Sequence, residues 1–90
     1  MDDNTMLTAL KVDLGITTTA YDDRLGQYLQ AARAAIETEG INLTESVSDG
    51  NLVVMYAAHL WRKRDTQEGM PRMLRWMMNN RLFSQKMTEE

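Results

Sequence analysis

The segment MPRMLRWMMNNRLF, Met70 to Phe83, constrains the fold of this chain more than any other. Pro71 stands near its start, where the missing N–H of proline leaves no helical hydrogen bond unmade. Behind it, apolar residues recur at steps of three and four, the period of an amphipathic helix. These residues are Met70, Met73, Leu74, Met77, Met78 and Leu82. The segment therefore predicts a helix with a methionine-rich apolar stripe and a basic remainder.

Three earlier segments show the same helical period. They cover about residues 5–14, 20–39 and 50–64. Gly15 and Gly40 are placed to end the first two helices. The candidate N-terminal caps are Thr18 or Thr19 for the second helix and Ser48 or Asp49 for the third. Alternating β-branched runs are absent, so we predict an all-α fold, a small four-helix bundle with orthogonal or antiparallel neighbours.

The length of 90 residues predicts a single domain, 1–90. We expect an ordered core over about 5–83 and a polar C-terminal tail, 84–90, that frays. Ile41 and Leu43 of the loop after the second helix are expected to pack onto the core. The predicted core residues are Leu25, Leu29, Ile36, Leu52, Tyr56, Leu60, Leu74 and Met77.

The residue types argue against catalysis and against a cofactor. The chain has no cysteine and one histidine, His59, so a metal site would depend on carboxylates. The paired acids Asp22 and Asp23 are explained by a helix start, and no glycine-rich phosphate loop exists. No apolar run approaches the about 20 residues that span a bilayer, and the acidic N-terminus does not resemble a secretory signal. We therefore expect a soluble intracellular protein that is not an enzyme.

Charge divides the chain into two parts. Residues 1–58 hold nine acids and three bases, a net charge of −6, whereas residues 59–87 hold seven bases and two acids, a net charge of +5. One explanation is solvated helix faces. The other is a bipolar domain that stacks on copies of itself or attracts partners of opposite charge. In that case the predicted interface residues are Arg62, Arg64, Arg72, Arg75 and Arg81 on one side, and Asp22, Asp23, Glu37 and Glu39 on the other.

The order of the segments resembles the head–tail connector (head-completion adaptor) proteins of tailed bacteriophages and prophages. The matching pieces are MLTALKVDLGI (Met6–Ile16), YDDRLGQYLQAARAAIE (Tyr21–Glu37), YAAHLWRKRD (Tyr56–Asp65) and MPRMLRWMMNNR (Met70–Arg81). Together they cover nearly the whole chain. The chain departs from the family in its final helix, where methionines and Trp76 replace the usual Leu or Ile.

The resemblance implies a structural protein of the virion, assembled in the host cytoplasm. Such proteins form a ring beneath the portal protein, twelve-fold on the portal, and the ring extends the DNA channel and docks a stopper or tail-completion protein. DNA passes through without specific binding, so acidic or uncharged side chains are expected along the channel, with the loop 41–49 as a candidate contact. The alternative is a small helical DNA-binding or regulatory module, which the basic residues of the second half also permit.

Overall fold

The computed structural model describes residues 1–66 and 69–88. Its four helices are α1 (Asp3–Leu14), α2 (Asp22–Thr38), α3 (Val47–Lys63) and α4 (Arg72–Thr88). The described residues contain no β-strand. The predicted all-α fold with four helices is thus confirmed.

Helix α1 has both of its ends fixed by local hydrogen bonds. The Asp2 carboxylate accepts from the backbone N–H of Thr5 at 2.7 Å, so the helix begins two residues earlier than predicted. Gly15 ends it in the left-handed conformation, with φ +71°, and its N–H bonds back to the last turn. Few residues other than glycine adopt that conformation without strain, which is why the predicted stop at Gly15 is confirmed.

The N-terminal caps of α2 and α3 differ from the predicted ones. The Thr18 hydroxyl accepts from the N–H of Ala20 in the turn before α2, but the helix starts at Asp22 without a side-chain cap. Ser46 caps α3, accepting from the N–H of Asp49 at 3.1 Å. The predicted caps at Ser48 and Asp49 are wrong because the helix starts three residues earlier than Gly50. Asp49 lies in its first turn, where its side chain has other partners.

Helix α4 extends through the segment that was expected to fray. It begins directly after Pro71, whose carbonyl accepts the first helical hydrogen bond from Arg75. It continues to Thr88, so residues 84–88 of the predicted polar tail belong to the helix, and positions 89 and 90 lie outside the described residues. The side chain of Gln85 bonds to the loop after α2, and these bonds hold the last turns of α4 in place.

The hydrophobic core lies along α3, which packs against each of the other three helices. Five of the eight predicted core residues are buried, and Ile41 of the loop joins them as expected. The five are Leu25, Leu29, Ile36, Leu52 and Leu74. Tyr56, Leu60 and Met77 lie at the edge of the core and are only half-buried. Met78 takes the inner position of α4, because Leu74 and Met78 lie one helical turn apart on the face turned to α3.

No helix in the described part of the chain is long and apolar enough to cross a membrane.

Candidate interaction surface on helix α4

One face of α4 is fixed to the domain by apolar packing and by a buried ion pair. Leu74 and Met78 are almost completely buried. One turn further along, the Arg81 guanidinium meets the Asp49 carboxylate, with Nε 2.7 Å from Oδ1 and Nη2 3.0 Å from Oδ2. Two parallel N–H···O bonds of this kind fix both distance and orientation. Helix α4 is therefore held in one rotation against the first turn of α3.

The Asp49 carboxylate is the most buried charge of the site, with only 3% of the residue exposed. The backbone N–H and the hydroxyl of Thr44 also donate to its Oδ2, at 2.8 and 2.9 Å. Burial raises the pKa of Asp49, but the bonds from Arg81 and Thr44 outweigh burial and leave that pKa below its ordinary value. The same pairing raises the pKa of Arg81. The ionised pair thus joins α3, α4 and the preceding loop.

Gln85 adds a second attachment between α4 and the loop that follows α2. Its amide oxygen accepts from the N–H of Asn42 at 2.6 Å, and its amide nitrogen donates to the carbonyl of Gly40 at 2.8 Å. Arg81 contributes again, since its Nη2 donates to the carbonyl of Asn42 at 2.7 Å. This face of α4 is consequently committed to the domain itself.

The opposite face of α4 is apolar and exposed. Met73, Trp76, Phe83 and Met87 are between 62% and 66% exposed. With the exposed Asn80 they recur at steps of three and four, so they form one continuous strip along the helix. We call the strip of Met73, Trp76, Asn80, Phe83 and Met87 the α4 outer face. Large apolar side chains collected on one exposed strip are typical of a surface that binds another protein.

One edge of the α4 outer face is basic. Arg72, Arg75 and Lys86 are all exposed, and at about 100° per residue they lie on the same flank of the strip. Arg75 also reaches Glu39 at the end of α2, with Nη1 3.4 Å from Oε1. Helix α4 holds four bases and no acid between residues 72 and 88. The surface is therefore both apolar and positive.

Two of the predicted basic residues belong to the end of α3 and not to α4. Arg62 donates to the backbone carbonyl of Asp13 at 3.1 Å. Arg64 places its guanidinium 4.1 Å from the centre of the Trp61 ring, an arrangement that gains cation–π attraction. Tyr21 and Tyr28 meet the same ring edge to face. Arg62 and Arg64 thus support contacts within the domain, and the five predicted arginines do not form a single patch.

The predicted acidic residues are spread along α2. Asp22 pairs with Lys11 of α1, with Oδ1 2.8 Å from Nζ. Asp23 and Glu37 are exposed near the two ends of the helix. Glu39 pairs with Arg75 of the same chain, so the predicted acidic and basic sides touch within one molecule. The structure brings these two residues together and leaves the other acids on separate surfaces.

The sequence prediction missed the outer apolar strip. The spacing of residues 73, 76, 80, 83 and 87 was readable, but Met70, Met73 and Met77 had been assigned to the same stripe as Leu74 and Met78. Helix α4 has apolar residues on two opposite sides, so periodicity alone does not decide which side faces the core. The ion pair between Asp49 and Arg81 determines which side faces the core, and this pair depends on tertiary contact.

Within residues 1–66 and 69–88, no group of three His, Asp or Glu side chains is placed to hold a metal ion. His59 is buried beside Tyr56, with ring centres 6.2 Å apart. Comparisons with protein-family models, with curated proteins and with solved structures find no match for this chain.

Proposed function

We propose that the protein is a head–tail connector subunit of a tailed bacteriophage or prophage. In this role copies of the chain form a ring, twelve-fold on the portal protein, which extends the DNA channel and offers a docking surface to a stopper or tail-completion protein. The protein then resides at the head–tail interface of the virion after assembly in the host cytoplasm. The role requires protein contacts and no catalysis.

The α4 outer face is the observation that carries this proposal. A free-standing domain gains nothing from exposing Trp76 and Phe83, and exposed aromatic side chains are the ones that contribute most to protein interfaces. The strip lies on a helix that is fixed on its other side by Leu74, Met78 and Arg81. Because this helix is already held rigidly, it loses little conformational entropy when it binds. The order of segments that resembles the connector family supports the same role.

The acidic first half of the chain supports passage of DNA without tight binding. Because each phosphate that a base neutralises adds to affinity, a channel lined by bases would retain DNA. Asp23, Glu37 and Glu45 are exposed and available for a channel wall. In contrast, Asp49 belongs to α3 and is buried against Arg81, so it is not part of the loop surface that was considered for channel contact.

Binding to the portal protein tests the proposal directly. The purified chain, incubated with the portal protein encoded in the same phage or prophage genome, is expected to form a stable complex. Negative-stain electron microscopy of that complex should show an added ring coaxial with the portal. The variant Val47→Ala serves as a surface control, since Val47 is exposed and lies outside the α4 outer face. Absence of any complex with the portal at physiological salt contradicts the proposed function.

The second candidate is a DNA-binding module, which the three exposed bases of α4 favour. Arg72, Arg75 and Lys86 lie together on one flank, and Trp76 beside them offers an aromatic surface. Tight binding to duplex DNA in a gel shift at about 0.15 M salt, weakening steeply as salt is raised, would favour this function. A connector is expected to show little binding under those conditions.

A further inference from the structure

We propose that the α4 outer face of one subunit docks into the groove between α1 and α2 of a second copy of the same chain. The proposal rests on the connector function and specifies which two surfaces meet between neighbours in the ring. It is carried by three observations. The strip on α4 is apolar and positive, the groove is open and lies on acidic helices, and the two surfaces belong to different elements.

The groove has a volume of about 590 Å³. Leu7 of α1 and Leu29 of α2 contribute apolar surface, and Asp3, Gln30 and Arg33 contribute polar groups. Gly26 leaves the space over α2 open, since a Cβ added there would meet no atom within 4 Å. An apolar floor with polar groups around it suits a large amphipathic side chain such as that of Trp76.

Charge favours this pairing of surfaces. Residues 2–39, which include α1 and α2, hold seven acids and three bases, a net charge of −4. The docking helix brings three exposed bases, Arg72, Arg75 and Lys86, and no acid. Arg72 and Arg75, on the flank of the strip, would approach the end of the groove that carries Asp3, where Asp3 also faces Arg33. Opposite charges across an interface speed encounter and fix its orientation.

The same charges disfavour contact between two α4 helices. Two copies of the α4 outer face brought together would juxtapose six bases with no acid, as Arg72, Arg75 and Lys86 flank the strip on each helix. Helix α4 packs on α3 and makes at most marginal contact with α1 and α2. The α4 outer face and the groove between α1 and α2 are therefore separate surfaces of one subunit. A contact between two different surfaces is heterologous and continues from copy to copy until a ring closes. That geometry is what a ring of identical subunits requires.

Two single substitutions remove one half of the contact each. Trp76→Ala removes the central side chain of the strip. Gly26→Phe fills the groove from a half-buried helical position where no neighbouring atom stands in the way. Both variants are expected to keep the circular dichroism spectrum of the wild-type chain. Val47→Ala, at another apolar residue that is 66% exposed, is the matched control.

The measurement is sedimentation velocity of each protein at concentrations up to about 1 mM. This matches the effective concentration that neighbouring sites impose on linked modules. The wild-type chain and Val47→Ala should form a concentration-dependent series of oligomers, and each of the other two variants alone should remain monomeric. An equal mixture of Trp76→Ala and Gly26→Phe should form dimers and nothing larger. The reason is that the intact groove of the first accepts the intact strip of the second, and neither remaining surface can continue the chain.

Three outcomes overturn the proposal. They are a wild-type chain that stays monomeric throughout, a Gly26→Phe variant that associates like the wild type, and a mixture that fails to form dimers. Self-association is measured without the portal protein. A failure to bind the portal would therefore contradict the proposed function without changing this result. Conversely, a chain that binds the portal but never associates through these surfaces retains the proposed function and contradicts only the docking mode.

Discussion

The ion pair between Asp49 and Arg81 is the residue-level feature on which the orientation of α4 depends. Asp49 is buried, whereas the Arg81 side chain keeps 23% of its surface exposed. Removing the cation from a buried pair leaves a charge without compensation, which costs far more than losing an exposed pair. The arginine that was predicted as an interface residue therefore has a structural partner inside the domain.

Arg81→Met tests this role, since methionine keeps most of the aliphatic length and removes the charge. We expect the free energy of unfolding to fall by about 3 kcal/mol, the cost of stranding a buried carboxylate. Arg75→Met is the control, because the pair of Arg75 with Glu39 is largely exposed and is worth at most about 1 kcal/mol. Urea unfolding followed by circular dichroism measures both. Equal losses for the two variants would contradict the structural role of Arg81.

The lowered pKa of Asp49 predicts a loss of stability in acid. A carboxyl whose folded pKa lies below its unfolded value, here 3.8, contributes its full stabilisation above the unfolded value. That contribution disappears as pH falls through the folded pKa. Between about pH 5 and pH 2 the wild-type chain should therefore lose more free energy of unfolding than Asp49→Asn does. Parallel pH profiles for the two proteins would show that the pair contributes no pH dependence.

At the scale of elements, helix α4 shows what sequence can and cannot predict. The existence of α4 and its start beside Pro71 follow from local chemistry that the sequence displays, and so does the end of α1 at Gly15. The burial of Leu74 and the exposure of Met73 do not, because adjacent residues of equal apolarity give the same periodic signal. The extension of α4 to Thr88 was also missed, since Gln85 gains its partners only when the loop after α2 folds beside it.

Two neighbouring truncations separate the inner and outer sides of α4. Leu74→Ala should lower the free energy of unfolding by about 2–5 kcal/mol, because it opens a cavity at a buried position. Met73→Ala should change it by about 0.5 kcal/mol or less, as expected of an exposed side chain. Both are measured by urea unfolding of the monomeric protein. A larger effect at Met73 than at Leu74 would mean that α4 packs in another rotation.

At the scale of the whole molecule, the two charged parts of the chain are only partly separated in space. Arg75 and Glu39 meet, and so do Arg81 and Asp49, so two of the bases of α4 are paired within the subunit. Arg72 and Lys86 remain exposed on the α4 flank, and Asp23 and Glu37 remain exposed on α2. The exposed charges that are available to a neighbour thus lie on different helices.

Charge reversal on α4 tests whether that distribution serves assembly. The double variant Arg72→Glu/Arg75→Glu should impair ring formation on the portal, because it places acids against an acidic neighbour. Its stability should change by about 1 kcal/mol at most, since both positions are exposed. The double variant Arg24→Glu/Lys63→Glu changes net charge equally at exposed positions outside α4 and should assemble normally. Infectious heads completed normally by the first variant would show that the basic flank is not an interface.

The exposure of Met73 and Met87 gives the outer side of α4 a distinct chemical reactivity. A thioether in solvent is readily oxidised to the sulfoxide, a polar group, whereas a buried one such as Met6 or Met78 is shielded. Peroxide should therefore modify positions 73 and 87 first in the isolated chain and turn an apolar strip into a polar one. In an assembled particle the same two sulfurs should resist oxidation wherever a neighbour covers them. The extent of oxidation at these two methionines, measured by mass spectrometry without any label, therefore shows whether a neighbour covers the α4 outer face.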